Sequence, residues 1–242
     1  MNADGSGIRQ VTETGFGAGW PSWSPDGRTI AFVHEVSTAT GGYRAIYVVQ
    51  ADGSRLRRIV SHASYPAWGP GGTRIAYSDD NGRILTISPD GAGIRLVAES
   101  RDECEIYIEP TWSPDGERVA FTATGAGGEC GFDAFIGVSR GFGAKVRVLA
   151  GGWFEQPDWS PDGRRIALVK YPPAGGNPYY TVGIFYLAPP VGSLFLRPGW
   201  HPRWSPDGNR LVFVRGNPFG PKPTSRISVM SADGSNLREL TG

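Results

Sequence analysis

The stretch Pro110-Thr111-Trp112-Ser113-Pro114-Asp115-Gly116-Glu117-Arg118-Val119-Ala120-Phe121 decides the fold, because versions of it occur five times in the chain. The other copies run over residues 21–32, 66–77, 157–168 and 202–213. Their tryptophans lie 44 to 47 residues apart, at Trp23, Trp68, Trp112, Trp159 and Trp204. Self-similarity at a fixed period of this size indicates a repeat architecture.

Each copy of this motif predicts two strands joined by a tight turn. In Pro-Asp-Gly, the proline fixes φ, the aspartate bonds to its own backbone, and the glycine supplies the positive φ that closes the turn. The run that follows, such as Val119-Ala120-Phe121, is apolar and ends on a large residue, as strands do. The motif is therefore a strand with the tryptophan, a turn and a second strand.

A weaker repeat lies between the copies and predicts a second hairpin. It covers residues 46–60, 84–97 and 227–240 around Asp-Gly turns, and residues 135–149 and 184–196 more loosely. One period thus holds four short antiparallel strands, which we name A (with the tryptophan), B, C and D. Four strands in about 40–50 residues are typical of a propeller blade.

The combination of Trp-Ser-Pro-Asp-Gly, Ile-Ala-Phe and Asp-Gly-Ser before Arg-x-Leu-Thr resembles the repeat of the TolB-type, WD40-like β-propeller family. The resemblance covers nearly the whole chain. It implies an all-β propeller of four-stranded antiparallel blades in one domain over residues 1–242. The five complete repeats are predicted at residues 20–64, 65–108, 109–155, 156–200 and 201–242.

The N-terminal stretch is predicted to be an orphan outer strand of a preceding blade. Residues 3–12 match residues 232–241, which form the C–D turn and D strand of the fifth repeat. We therefore expect residues 1–19 to belong to a blade before the first one, in a propeller of six or more blades. In that case the first and fifth blades have open edges, through which copies of the chain could associate.

Composition gives no electrostatic case for nucleic acid, since the net charge is +1 and charges of both signs are mixed throughout. No apolar run approaches the roughly 20 residues that cross a bilayer, and the first residues do not read as a signal peptide. Only the resemblance favours a periplasmic or secreted location. No cofactor is predicted.

Alternating strand directions place the A–B and C–D turns on one face of the propeller, the turn face, and the B–C and D–A loops on the other, the loop face. The turn-face aspartates Asp26, Asp115, Asp162 and Asp207 are predicted to cap turns, because one carboxylate per turn is far fewer ligands than the six to eight oxygens of a Ca²⁺ site. No metal site is predicted.

The loop face is irregular and aromatic, and rigidly mounted loops carry binding residues. We therefore predict ligand binding there, and not on the turn face, by residues that include Trp153, Phe154, Tyr179, Tyr180 and Trp200.

The residue before each motif proline varies between blades: Trp20, Tyr65, Glu109, Gln156 and His201. Because strand A is the innermost strand, these five are expected to ring the mouth of the central channel. Two interpretations stay open, a ligand-binding rim or residues that merely lead into the strand. The five motif tryptophans, in contrast, are predicted to pack between blades.

The two cysteines, Cys104 and Cys130, are predicted on the same face beside the third blade. They form a natural disulfide pair if the compartment is oxidising, with two unrelated thiols as the alternative.

The favoured function is a non-enzymatic scaffold that binds a protein or peptide at the channel mouth and loop face. By resemblance, the partner class is that of the peptidoglycan-associated lipoprotein of TolB. The alternative is an enzyme or enzyme part, either a glycan-active propeller or the gating propeller of a prolyl-oligopeptidase-like peptidase. The chain has no His-Glu-x-x-His helix. A carboxylate pair for glycan chemistry would have to come from Glu105, Glu109, Glu129, Asp133 and Glu155.

Overall fold

The computed structural model describes residues 9–12, 17–39, 41–100, 102–125, 134–171, 180–188, 192–217 and 224–241. Within these ranges all regular structure is β, and no helix is found that is long and apolar enough to cross a membrane.

Twenty strands form five four-stranded sheets, one per repeat, each paired in chain order. The first blade contains β1 (Gly19–Trp23), β2 (Thr29–Thr38), β3 (Gly41–Gln50) and β4 (Arg57–Ser61). The second contains β5 (Ala63–Trp68), β6 (Ile75–Asp79), β7 (Ile84–Ile87) and β8 (Arg95–Ala98). The third contains β9 (Glu105–Trp112), β10 (Arg118–Gly125), β11 (Ala134–Arg140) and β12 (Arg147–Gly151). The fourth contains β13 (Phe154–Trp159), β14 (Arg165–Lys170), β15 (Thr181–Tyr186) and β16 (Gly192–Pro198). The fifth contains β17 (Trp200–Trp204), β18 (Arg210–Asn217), β19 (Thr224–Ser231) and β20 (Arg238–Glu239).

All described strand pairs are antiparallel. The predicted fold class is therefore confirmed: the molecule is an all-β propeller with five four-stranded blades. The sixth blade stays a prediction.

The apolar core lies between the blades. Strand B alternates, so that Ile75 and Tyr77 of the second blade face the first blade, whereas Ala76 faces the third. The same alternation places Ile166 and Leu168 towards the third blade. Each inner sheet thus buries both of its faces, which explains why strand B is apolar at successive positions.

The Ser-Pro-Asp-Gly turns are fixed by their own side chains. In the third blade the Ser113 hydroxyl donates to Asp115, which also accepts the backbone N–H of Glu117 at 3.0 Å. Gly116 has a φ of +72°, as the turn requires. These hydrogen bonds hold the pKa of Asp115 below its ordinary value. The turn-face aspartates therefore cap turns, as the sequence predicts.

The connections on the loop face are short in the first two blades. β2 and β3 leave only residues 39 and 40 between them. Likewise, only His62 separates β4 from β5. The β2–β3 hairpin is long because its cross-strand pairing continues to Thr38 and Gly41.

The two end blades are less covered than the inner ones. Trp23 of the first blade is 55% exposed, whereas Trp159 of the fourth is 6% exposed. Val212 of the fifth blade is half-buried, whereas Ala120 and Ala167 at the equivalent position are fully buried. The outward faces of the first and fifth blades are thus incompletely sealed.

Residues 9–12 form no strand but lie beside the C–D turn of the first blade. Arg9 donates to the carbonyl oxygens of Ala51, at 2.5 Å, and Asp52, at 3.3 Å. Arg57 of the first blade makes the same kind of bond to Pro89 in the turn of the second blade. Residues 9–12 therefore contact the C–D turn of the first blade in the way that β4, the outer strand of the first blade, contacts the C–D turn of the second.

Candidate functional site

A central channel of about 420 Å³ passes between the five inner strands. Each inner strand lines the channel with the residue before its motif proline. It also contributes either its motif tryptophan or a residue next to that tryptophan. A concave site shared by several rigid elements is where ligands bind in most proteins.

The rim of this channel is formed by the five residues before the motif prolines: Trp20, Tyr65, Glu109, Gln156 and His201. All five have a φ between +50° and +56°, and strand pairing shifts register around each of them. They lie inside strand A, at a β-bulge, and not ahead of it. The left-handed conformation is unfavourable for a residue with a side chain, and more so before proline.

Polar rim side chains connect neighbouring blades. The Glu109 carboxylate accepts hydrogen bonds from the Gln156 backbone N–H and the Thr122 hydroxyl, both at 3.0 Å. The Gln156 side-chain oxygen in turn accepts the His201 backbone N–H at 2.7 Å. This half of the rim is held rigidly by bonds that run from the third blade to the fifth.

The opposite half of the rim is aromatic. Trp20 and Tyr65 pack edge to face, with ring centroids 5.1 Å apart. The Arg44 guanidinium lies 5.0 Å from the centroid of the Trp20 ring. The rim therefore offers an apolar side and a hydrogen-bonding side around one opening.

A carboxyl group next to the rim has an unusual protonation equilibrium. Burial and the nearby Glu109 carboxylate raise the pKa of Glu155 to about 7, against a hydrogen bond from Tyr171 that lowers it. Burial also raises the pKa of Glu109. Burial, together with the charge of Glu109, raises the pKa of Tyr65. Glu155 therefore keeps its proton to a higher pH than an ordinary glutamate does.

Two further channel residues, Asp158 and Arg203, escaped the sequence analysis. Asp158 accepts the Trp204 backbone N–H at 2.8 Å, and burial raises its pKa while the charge of Arg203 lowers it. His201 is exposed at the rim. Burial of part of its ring, and then the charge of Arg203, lower its pKa. The sequence could have revealed them, because both are charged residues at the position between the motif proline and the tryptophan. The other blades carry uncharged residues there, namely Ser22, Ala67 and Thr111.

The predicted loop-face aromatics do not all reach the surface. Trp153 and Trp200 are half-buried, and Tyr180 packs edge to face on Tyr171 with centroids 4.5 Å apart. Phe154 is only 8% exposed and belongs to the core between the third and fourth blades, because it starts strand A with its side chain turned inward. It is not available to a ligand at the loop face. Tyr179 lies outside the described residues.

A second opening of about 520 Å³ on the loop face lies between the first two blades. His62 Nδ1 is 2.8 Å from Asp80 Oδ2, and the Tyr43 ring stacks on the imidazole with centroids 4.8 Å apart. Arg58 donates to the Tyr43 hydroxyl at 2.7 Å. Sequence reasoning missed this cluster because its members come from separate hairpins.

The motif tryptophans contact the preceding blade. The indole N–H of Trp112 donates to Ala67, and that of Trp204 donates to Asp158, both to backbone oxygens at 3.1 Å. The guanidinium groups of Arg118 and Arg165 lie over Trp159 and Trp204, 4.6 and 4.5 Å from the ring centroids.

Cys104 is disulfide-bonded. Cys130 is the second cysteine of the chain and lies outside the described residues, so the pairing of the two stays a prediction. Among the described residues, no group of three or more His, Cys, Asp and Glu side chains could hold a metal ion.

No family model matches the chain. A TolB homolog of Chlorobium luteolum is 30% identical over 123 residues, which cover 50% of this chain and 27% of that protein. An uncharacterized peptidase, YuxL, of Bacillus subtilis is 27% identical over 142 residues, which cover 43% of this chain and 21% of that protein. The matched segments thus span only about a quarter of these relatives.

Solved structures of similar shape include TolB propellers. TolB from Acinetobacter baumannii superimposes with a TM-score of 0.78 at 23% identity, covering 99% of this chain and 58% of that one. A putative TolB from Agrobacterium tumefaciens gives a TM-score of 0.74 at 23% identity, covering 96% of this chain and 83% of that one. These likenesses show that the fold is that of the TolB propellers.

Proposed function

We propose that this TolB-like β-propeller is a non-enzymatic scaffold, whose channel mouth binds an extended peptide segment of a protein partner. The observation that carries the proposal is the rim itself. Five different side chains occupy one structural position, held by bulges at the opening of a rigid channel. Repetition serves the scaffold, whereas variation at one shared position that lines the channel suits recognition.

The chemistry of the rim suits a peptide with one apolar anchor. The Trp20–Tyr65 pair offers an aromatic wall for an apolar or aromatic side chain. Glu109 and Gln156 are held in place because a side-chain oxygen of each accepts a neighbouring backbone N–H. Their remaining oxygen lone pairs can accept hydrogen bonds from the backbone N–H groups of a ligand. A pre-organised rim lowers the entropy cost of such binding.

The likeness to TolB supports a protein as the partner. The resemblance in sequence extends this to the class of the peptidoglycan-associated lipoprotein and to a periplasmic or secreted location. Both are proposals, because the chain matches only part of its curated relatives.

Peptides selected from a random display library on the immobilised protein test the proposal. Binding of a selected peptide is then measured by fluorescence anisotropy against Tyr65→Ala and against a matched turn-face variant, Arg28→Ala. We expect the rim variant to weaken binding about tenfold or more, as loss of an aromatic anchor does, and the turn-face variant to leave it unchanged. Selected peptides that respond only to Arg28→Ala would refute the proposal.

A second candidate is an enzyme or a propeller that gates one, favoured by the raised pKa of Glu155 beside Glu109 and by the partial match to an uncharacterized peptidase. Against catalysis, the Glu109 carboxylate already accepts one hydrogen bond from Thr122 of its own blade and one from the Gln156 backbone N–H of the fourth blade. Hydrolysis of oligosaccharide probes that is abolished by Glu155→Gln would favour this candidate.

The partly uncovered faces of the first and fifth blades make association between copies a further part of the proposal. Trp23 is the largest exposed side chain there. Sedimentation velocity should show concentration-dependent association that Trp23→Ser reduces. A monomer at all concentrations would contradict it.

A further inference from the structure

The second blade departs from the motif, and this departure changes the environment of one arginine. Arg74 corresponds to Arg118 and Arg165 of the next two blades. Those arginines pair with the motif aspartate of their own turn, at 3.0 Å for Asp115 and 2.9 Å for Asp162. In the second blade the aspartate is replaced by Gly71. Arg74 therefore lacks the carboxylate that its counterparts have.

Arg74 is nevertheless held in a fixed position. Its Nε donates to the Thr86 hydroxyl at 2.8 Å, and its Nη2 donates to the backbone oxygens of Thr86, at 3.0 Å, and Gly93. Thr86 is fully buried. The guanidinium is thus oriented by neutral acceptors, and no described carboxylate pairs with it.

A second uncompensated guanidinium lies nearby, over the same aromatic ring. Arg95 and Arg74 lie 5.1 and 5.6 Å from the centroid of Phe142, in the C–D turn of the third blade. Arg95 is exposed and forms no ion pair with the described residues. Burial and the charge of Arg95 lower the pKa of Arg74. Two like charges without a counterion are unfavourable, and a bound anion would relieve this.

The same patch exposes apolar surface. Phe142 is 48% exposed and Ile94, next to Arg95 in the chain, is 55% exposed. The carboxylate of the intervening turn, Asp90, accepts the Ala92 backbone N–H at 3.0 Å and is engaged locally. Unpaired guanidinium groups beside apolar side chains match a ligand that carries carboxylates and an apolar residue together.

We propose that Arg74, Arg95 and Phe142 form a second binding site, on the turn face, for an acidic peptide segment with an apolar side chain. A carboxylate of the peptide takes the place of the aspartate that the second motif lacks, and its apolar side chain packs on Phe142. Guanidinium groups bind carboxylates through paired, charge-assisted hydrogen bonds. The inference departs from the expectation that only the loop face binds, and it does not depend on the function proposed for the channel mouth.

The missing aspartate supplies its own experiment. Gly71 has room for a side chain, since an added Cβ would meet only the Thr73 hydroxyl, at 3.9 Å. Gly71→Asp restores the internal carboxylate, and Gly71→Asn is a matched control of the same shape without charge. The probe is a fluorescein-labelled hexapeptide with glutamates on both sides of Leu-Phe, compared by anisotropy with the same peptide carrying glutamines.

We expect the glutamate peptide to bind, and Gly71→Asp, Arg74→Gln and Arg95→Gln each to weaken it about tenfold. Gly71→Asn and the distant Arg28→Gln should stay within about threefold. Equal binding of the glutamine peptide, or unchanged binding to Gly71→Asp, would overturn the inference. So would binding to anionic lipid vesicles that is lost in Arg74→Gln while the peptide fails to bind.

Discussion

Strand A of each blade carries two positions, three residues apart, that behave in opposite ways. The tryptophan at the turn-face end is identical in all five blades, and in the third and fifth blades its indole N–H donates to the backbone of the preceding blade. The residue before the proline, at the loop-face end, differs in every blade and faces the channel opening. One strand thus separates the residue that holds the ring together from the residue that the ring presents.

The motif tryptophans also differ from one another in how deeply they are buried. Trp159 is packed between two blades and covered by Arg118, whereas Trp23 has the same sequence context but is largely exposed. Burial by a neighbouring blade, and not the motif alone, therefore gives the tryptophan its structural role. This leads to predictions that separate the two positions.

The largest effect is expected from the buried tryptophan. Trp159→Ala should lower the free energy of unfolding by roughly 3–5 kcal/mol, as large truncations in a core do, and Trp112→Ala should act in the same direction. Trp23→Ala is the matched control and should cost less than about 1 kcal/mol. Urea denaturation followed by fluorescence measures both. Equal losses for Trp159 and Trp23 would mean that the neighbouring blade contributes little.

The pH dependence of stability should reveal the carboxyl group beside the rim. The pKa of Glu155 is raised in the folded state to about 7 from the ordinary 4.5. The folded protein therefore binds this proton more tightly than the unfolded chain, so its stability should fall as the pH rises from about 4.5 to 7 and then level off. Glu155→Gln should remove the part of this decline in melting temperature that Glu155 contributes.

Glu117→Gln, at an exposed site, serves as the control and should keep the decline. Glu109 and Asp158 act in the same direction as Glu155, whereas the lowered pKa of His201 acts in the opposite one. The difference between wild type and Glu155→Gln is therefore the informative quantity. A flat difference between pH 5 and pH 8 would contradict the assignment.

The smallest effect is expected from relief of backbone strain at the rim. His201 is exposed and has a φ of +54°, which glycine adopts readily. His201→Gly should raise the free energy of unfolding by about 0.5–1 kcal/mol. Ser193→Gly, at an exposed position inside β16, should instead lower it by a similar amount. A loss at both positions would show that the His201 side chain contributes to the fold.

The sequence was sufficient for the fold because turn chemistry, alternation and repeat length all agree in five copies. It also placed Trp20, Tyr65, Glu109, Gln156 and His201 together, since one position per blade on the innermost strand must converge on the channel. It could not reveal the bulge that gives these residues a positive φ, because none of them is glycine.

Other features depend on contacts between repeats, which single-repeat patterns do not encode. Phe154 resembled a loop aromatic, but the early start of strand A buries it. The raised pKa of Glu155 comes first from burial and then from the charge of Glu109 in the preceding blade. Arg74 and Phe142 are 68 positions apart in the chain and meet only through the packing of two blades.

Site-specific photocrosslinking can show whether a bound peptide lies against the rim. A benzophenone amino acid is placed at Tyr65 on the rim or at Arg28 on the turn face, and a peptide selected by display is added under ultraviolet light. If the rim binds the peptide, position 65 should give crosslinks that excess unlabelled peptide suppresses, and position 28 should give none. Crosslinks from position 28 with none from position 65 would contradict binding at the rim.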